Sequence, residues 1–387
     1  MEASASPIPM LDLRRQYAGI RTEVLAAIER VCAEQQFILG DEVASFEQEA
    51  ACCLGVRRTV GCASGTDALW LALAGVGVCP GDAVITTPFS FFATVSAIIR
   101  AGARPILADV DAGTLNLDPC KAAEALQGTG RVRAILPVHL YGQCADMTAF
   151  ARLAGRYELK TVEDAAQAFG ASWNGHPAGA LGDAAAFSFY PTKNLSAYGD
   201  AGCVTTNHGD VADRIVSLRS HGSRQRYRHE EIGANSRLAA LQAAILRVKL
   251  KYLPRWNEER RSRARTYDQM LATAGLLAAA TTPGVCAQSP VCLLTIRPEA
   301  HSIFHQYVLR VHRRDELRTF LAGRGIATEV YYPIPLHLQP CFAYLGYREG
   351  DFPISEQAAR EVLALPMFPE LTEDEQQRVI AAIAHFY

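Results

Sequence analysis

Nowhere in the 387 residues does an uninterrupted apolar run approach the roughly 18 positions that a membrane-spanning helix needs. A membrane-embedded protein is therefore not expected. Nor is there a basic block resembling a footprint for a phosphate backbone. Lys and Arg number 38 against 40 Asp and Glu, a net charge of −2, and nucleic-acid binding lacks its electrostatic basis. The densest cationic stretch, 255–265, also carries Glu258 and Glu259 and reads as a solvated helix face. The first residues, Met1-Glu2-Ala3-Ser4-Ala5-Ser6-Pro7, have neither the positive region nor the apolar core of a signal peptide, so a cytoplasmic location is expected. None of the 11 cysteines forms a C-x-x-C pair. Scattered singly or adjacent, as in Cys52-Cys53, they read as small buried residues in a reducing compartment rather than metal ligands or disulfides. G-x-G-x-x-G after the first strand is missing too, which removes the fingerprint of a NAD-dependent Rossmann enzyme. No internal repeat or low-complexity segment is present.

What remains is a soluble-globular composition, 49% apolar and 20% charged, with length for two to three domains. From about 55 to 205, short apolar runs alternate with amphipathic ones. Strands are predicted at 59–62, 83–86, 105–108, 134–138 and 159–162, with helices near 68–74, 93–101, 119–126 and 147–156. This βαβ rhythm implies an α/β fold with a mainly parallel sheet flanked by helices and ligands beyond the carboxyl ends of the strands. Two amphipathic helices, 17–33 and 42–53, precede it, and a long helix over 237–251 ends near Pro254. Beyond 286 the pattern turns β-rich at 303–311 and 328–332, mixed with helices at 315–322, 355–363 and 373–385. The expected division is a large domain over 1–255 and a smaller C-terminal α+β domain over 256–387.

Lys193 is the most informative residue. It follows the apolar run 186–189 in a polar loop, and 29 positions upstream a strand ends in Glu163-Asp164. Enzymes that use pyridoxal 5'-phosphate need this pair: the amine condenses with the cofactor aldehyde as a Schiff base, and the carboxylate keeps the pyridine nitrogen protonated. If the chain turns helical after Asp164, Gln167 shares its face, while Glu163 points elsewhere. Asp164 could instead be an N-cap. Cys62-Ala63-Ser64-Gly65-Thr66-Asp67 joins a strand to a helix, where Gly65, the hydroxyls of Ser64 and Thr66 and the helix amides suit a phosphate, or an ordinary cap. Ser188 can add a hydroxyl. Among the aromatics of Thr87-Pro88-Phe89-Ser90-Phe91-Phe92, Phe91 is the candidate to stack on a planar ring, with core packing for at least one of Phe89 and Phe92. Gly199 and Gly202 permit a tight return to the sheet. Asn235 and Arg237 supply an amide and a guanidinium suited to an anion, although Arg237 equally suits a surface ion pair. His301 and His305 have the four-residue spacing of a helical metal pair, but their segment reads as a strand, where such positions diverge; no metal is expected.

Together these elements resemble the pyridoxal-phosphate-dependent sugar-nucleotide aminotransferases often called the DegT or StrS family, of aminotransferase fold type I. The resemblance runs from Met10 to the final helix. Its most specific pieces are S-G-T-D-A-L at 64 to 69, P-V-H-L-Y-G-Q at 137 to 143, E-D-A-A-Q-A at 163 to 168, F-S-F-Y-P-T-K-N-L at 187 to 195 and Y-Y-P-I-P-L-H at 331 to 337. It implies Lys193 as the Schiff-base lysine, Asp164 at the pyridine nitrogen, Gln167 at the phenolic oxygen and Phe91 on the ring. Gly65, Thr66 and Ser188 would hold the phosphate, joined by Asn235 of a neighbouring subunit in a homodimer with shared sites. Tyr190, His305, Tyr332 and His337 would face substrate, with only one of the adjacent Tyr331 and Tyr332 in contact and the other packing. Relatives that replace the lysine with histidine are dehydratases; Lys193 favours transamination, from an amino acid donor such as glutamate to a keto group of a nucleotide-linked deoxyhexose. Amination at carbon 3 of a thymidine-diphosphate sugar is the expectation. A 4-keto sugar, another cyclic ketone and a cofactor-binding regulatory protein without turnover are the alternatives.

Overall fold

The computed structural model describes residues 6–127, 130–225, 227–277 and 289–387. Met1–Ala5 and the onset of the β-rich pattern at 286–288 lie outside them.

Two features of the chain build the central layer. Short β-branched and alanine-rich runs, too short for buried helices, alternate with amphipathic segments and pair as strands. These are Arg58–Cys62 (β1), Ala83–Thr86 (β2), Arg104–Leu107 (β3), Val132–Ile135 (β4), Lys160–Asp164 (β5), Ala184–Ser188 (β6) and Gly202–Thr206 (β7). They form one seven-stranded sheet in the order β1-β7-β6-β5-β4-β2-β3. β7 pairs antiparallel with both neighbours, and the other pairings are parallel. The intervening helices, Gly65–Gly75, Phe92–Arg100, Pro119–Ala125 and Met147–Tyr157, start where Ser64, Asp118 and Asp146 accept backbone N–H bonds as caps and where Phe91 makes a turn without one. Predicted and observed elements in this region agree to within a few residues.

Leu13–Glu34 is capped by Asp12 and buries Ile20, Val24, Ala27 and Val31, a stripe at helical spacing. That stripe packs on Ala240, Ala244, Ile245 and Val248 of the helix Ala240–Leu250. The latter begins three residues later than predicted, because Asn235 and Ala239 are held in β-bridges to Ser220 and Ile38. It is followed by the charged helix Leu253–Thr273.

Toward the C-terminus, Val291–Leu293 (β8), Tyr307–Val311 (β9) and Val362–Leu365 (β10) form an antiparallel sheet with β9 at its centre. Helices Arg314–Ala322, Pro353–Glu361 and Glu373–Phe386 accompany it, the last opened by a Thr372/Glu375 capping box. Three expectations need correction here. Residues 303–306 are irregular, and the strand starts only at Tyr307. The predicted strand over 328–332 reduces to an isolated bridge between Glu329 and Ala364; Pro333 and Pro335 remove ladder donors just beyond it. Val362 and Leu363, expected to end a helix, open β10.

The cysteines depart from expectation too. Among the described residues, Cys62, Cys144 and Cys203 are free and buried, Cys32, Cys52, Cys53, Cys79, Cys120 and Cys341 are free and exposed, and Cys292 is disulfide-bonded. Among the described residues no helix is long and apolar enough to cross a membrane.

Candidate active site

Parallel strands leave their carboxyl ends on one edge of the sheet, and the connections from β1, β2, β5 and β6 converge there. They line a cavity of about 580 Å³. Gly65, Thr66, Phe91, Asp164, Gln167, Ser188, Tyr190, Lys193, His305 and Tyr332, all singled out from sequence, are on its wall.

Alternation along β5 sends its two terminal carboxylates to opposite faces. Glu163 turns away from the cavity, fully buried, accepts from the backbone N–H of Gly179, Leu181 and Gly182 at 2.8 Å, and lies 2.9 Å from His139 Nε2. His139 Nδ1 accepts from Ala145 N–H at 3.2 Å, so Nε2 is the donor to Glu163. Asp164 faces the cavity. Its Oδ2 accepts from Thr94 Oγ1 at 2.7 Å, and Ser90 is 2.8 Å behind Thr94. Burial raises the Asp164 pKa, while the Thr94 and Ala166 hydrogen bonds and the Lys193 charge hold it down.

The chain does not turn helical after Asp164. Ala168 N–H closes a tight turn on Ala165 O at 2.9 Å, yet Gln167 reaches the cavity wall. Its Oε1 accepts from Tyr141 N–H at 2.6 Å, and its Nε2 donates to Tyr332 Oη at 3.1 Å, which fixes the amide's orientation. Tyr332 is therefore in contact with the site. Tyr331 also lines the cavity, with its carbonyl accepting from the Tyr141 hydroxyl.

Lys193 lies in a loop between β6 and β7, where its N–H donates to Tyr190 O at 2.8 Å. Burial pushes its amine down to about 8, against the pull of Asp164. A lysine in that range holds a neutral amine at mildly alkaline pH. Gly65 heads the helix capped by Ser64, and a Cβ there would come within 2.5 Å of Ser188 Cβ. Its lack of a side chain is what lets the β1 and β6 connections close on each other. Gly202 plays the same part at the start of β7, where a Cβ would meet Ser64 O at 2.5 Å. Phe91 is 56% exposed at the cavity rim, whereas Phe89 is buried and Phe92 stacks on Phe342 at 5.1 Å.

His305 Nδ1 lies 3.1 Å from Asn194 Oδ1. Asn194 Nδ2 donates to Asn257 and to Ile303 O, so its oxygen is the acceptor and His305 Nδ1 the donor. Burial and the nearby Lys193 and Arg260 charges keep this imidazole neutral. His337 is elsewhere. A one-turn 3-10 helix, Leu336–Leu338, turns it inward, 3.0 Å from Glu356 Oε1 and edge-on to Phe352, outside the cavity. Asn235 and Arg237 do not line the cavity either; Arg237 Nε donates to Asn235 Oδ1 at 3.0 Å. Thr94, Ser90, Tyr141 and Gln306 were not singled out from sequence. Ser90 and Thr94 carried a signal, hydroxyls four apart at a helix start beyond a strand.

A tethered amine of lowered pKa, a buried carboxylate facing the same space, a glycine-fronted helix N-terminus and an aromatic rim fit a planar, phosphorylated aldehyde such as pyridoxal phosphate. Such a fold and site define an enzyme of the aminotransferase class. Comparison with known proteins agrees: residues 19–384 match the DegT/DnrJ/EryC1/StrS aminotransferase family, and the chain belongs to that family. It is 48% identical over 98% of both chains to a "Pleiotropic regulatory protein" of Geobacillus stearothermophilus. It is 43% identical to "dTDP-3-amino-3,4,6-trideoxy-alpha-D-glucose transaminase" of Streptomyces venezuelae, over 98% of this chain and 96% of that one. The crystal structure of S. venezuelae DesV in complex with a ketimine intermediate superposes with a TM-score of 0.92, at 42% identity and 99% coverage of each chain.

Proposed function

We propose that this protein transfers an amino group from an amino acid, glutamate in the first instance, to carbon 3 of a dTDP-linked 3-keto-6-deoxyhexose. The observation that carries this is the placement of Lys193 and Asp164 on one cavity fronted by the Gly65 helix. The 3-amino sugar in the Streptomyces venezuelae relative's name supports the regiochemistry. Pyridoxal phosphate, when bound, supplies an aldehyde for the amine and a ring that accepts electrons.

The residues divide the remaining work. Lys193 would hold the cofactor through its amine, and that amine, with its pKa pushed down to about 8, would move protons at the adjoining carbon. Asp164 would keep a proton on the ring nitrogen, with Thr94 keeping the carboxylate ionised. Gln167, oriented by Tyr141, would donate from Nε2 to the phenolic oxygen. Phe91 would cover the ring, and Gly65, Thr66 and Ser188 would hold the phosphate. In a homodimer, Asn235 of a second copy completes that pocket. Tyr190, Tyr332 and His305 contact substrate, His305 as a neutral group. His337, turned toward Glu356, has no part in this assignment.

Matched 3-keto and 4-keto dTDP-sugars, offered with glutamate and followed by NMR location of the new amine, test the proposal. A clear preference for the 4-keto sugar defeats the regiochemistry and leaves transamination intact. The name of the Geobacillus relative favours a second reading, cofactor binding with a regulatory role. Bound cofactor without turnover on any keto sugar would decide for it.

A further inference from the structure

The loop that carries Lys193 has no regular secondary structure between β6 and β7. Backbone bonds from Lys193 N–H to Tyr190 O and from Ala197 N–H to Phe189 O, both 2.8 Å, close its turns, and three side chains from one helix pair tie it to the rest of the fold. Asn257 Oδ1 accepts from Asn194 Nδ2 at 2.8 Å. Lys249 Nζ donates to Ser196 Oγ at 2.6 Å. Gln242 takes both backbone groups of Tyr198, accepting from its N–H at 2.8 Å and donating to its carbonyl at 3.3 Å. Residues 242, 249 and 257 come from the consecutive helices Ala240–Leu250 and Leu253–Thr273, and they grip every second residue of the segment just after Lys193.

Lys249 is the unusual member. Its side chain is 1% exposed and Ser196 is fully buried. Its ammonium sits 5.1 Å from the centre of the Tyr198 ring. Burial pushes its pKa down to about 8, with Glu370 as the opposing charge. An ammonium taken out of water is expensive unless hydrogen bonds and an aromatic face replace its hydration. Here those replacements are Ser196 and Tyr198, both in the lysine loop. The cost of burying the charge thus falls on whether the loop keeps its conformation, because a loop that drifts takes away the hydroxyl and the aromatic face that stand in for water.

We infer that Lys249 is a positioning residue for Lys193, the cationic member of a three-point clasp with Gln242 and Asn257 that holds the loop against the helix pair. This rests on the assignment of Lys193 as the cofactor lysine. Lys249→Met keeps length and apolar volume while removing the charge, a replacement that buried sites tolerate. In the cofactor-free protein, hydrogen exchange of the amides of 193–199 should quicken at least about tenfold, as expected when a local opening is eased. In the holoenzyme kcat should fall about tenfold with KM for glutamate within about twofold, since a slightly misplaced reacting group costs rate before binding. Lys249→Arg should recover part of both.

Loop exchange and kcat both within twofold of the parent in Lys249→Met would overturn the inference. If that variant does not fold, Ser196→Ala decides instead: faster loop exchange supports the clasp, and unchanged exchange overturns it. Failure of the underlying assignment is separable, because Lys193→Ala with retained turnover would remove Lys193 from the chemistry while exchange in the cofactor-free protein still reports on the clasp.

Discussion

Thr94 Oγ1 donates a 2.7 Å hydrogen bond to Asp164 Oδ2, so a residue opening one helix fixes the ionisation of the carboxylate that closes β5. Burial already raises the Asp164 pKa, and Thr94 is the foremost group opposing it. In Thr94→Val the acid should therefore stay protonated to higher pH. A hydrogen bond to a charged group is worth roughly 1.5–3 kcal/mol, which corresponds to about one pH unit or more. The acid limb of the activity profile should move upward by about that much, with little change on the alkaline side. An unmoved acid limb would count against the role given to Thr94.

The two carboxylates of the Glu163-Asp164 pair should respond oppositely to amide replacement. Asp164 has a raised folded-state pKa, so its contribution to stability is present at low pH and lost as pH rises through that value. Asp164→Asn removes this loss and should leave Tm at neutral pH unchanged or higher, while turnover falls by about 100-fold or more through loss of transition-state stabilisation. Glu163→Gln instead places a donor amide among three backbone N–H groups and His139. It should cost about 3 kcal/mol of stability, read by thermal or urea unfolding. Equal effects of the two variants would contradict the division.

For Lys193 the observable is amine reactivity. With its pKa pushed down to about 8 by burial, acylation of the cofactor-free protein by a small reagent should reach half its limiting rate near that pH, far below an ordinary lysine. Asp164 favours the protonated amine, so Asp164→Asn should shift the midpoint lower still. Lys193→Ala should bind cofactor without a covalent link and lose turnover; full activity in that variant would sink the mechanism.

Shared sites can be tested by complementation. Asn235 is exposed and does not line its own chain's cavity, which is the placement expected of a residue serving a second copy. Lys193→Ala and Asn235→Asp, each inactive alone, should regain partial activity when subunits are exchanged, because a two-fold dimer then contains one site with both native residues. No rescue despite proven exchange, or a fully active monomer, would defeat the arrangement.

The alternation of apolar and amphipathic segments made the seven-stranded layer, and the residues its connections bring to the cavity, readable in advance. Asp164 ends β5, and Gly65 and Lys193 lie in the connections just beyond β1 and β6, where period and punctuation are strongest. Reading failed where local pattern does not encode the outcome. Val362 and Leu363 look like the end of a helix until β9 is there to pair with them. His337 resembles an active-site histidine, and only the tertiary position of Glu356 shows it turned inward. Gln167 reached its place through a turn rather than a helix, because Ala165 and Ala168 close a hydrogen bond that spacing alone did not specify. Thr94 and Lys249 were passed over because each acts on a residue distant in sequence.

One wall of the cavity belongs to connections of the seven-stranded sheet, and the other, with His305, Gln306, Tyr331 and Tyr332, comes from beyond residue 300. The two walls are thus independent variables for selection. Under the proposed assignment the first can stay constant while the second is rewritten, so new acceptors can be explored without rebuilding the half that would hold the cofactor. A chimera that exchanges only residues 300–340 with those of a relative should inherit the donor's sugar preference and keep the parent's cofactor affinity.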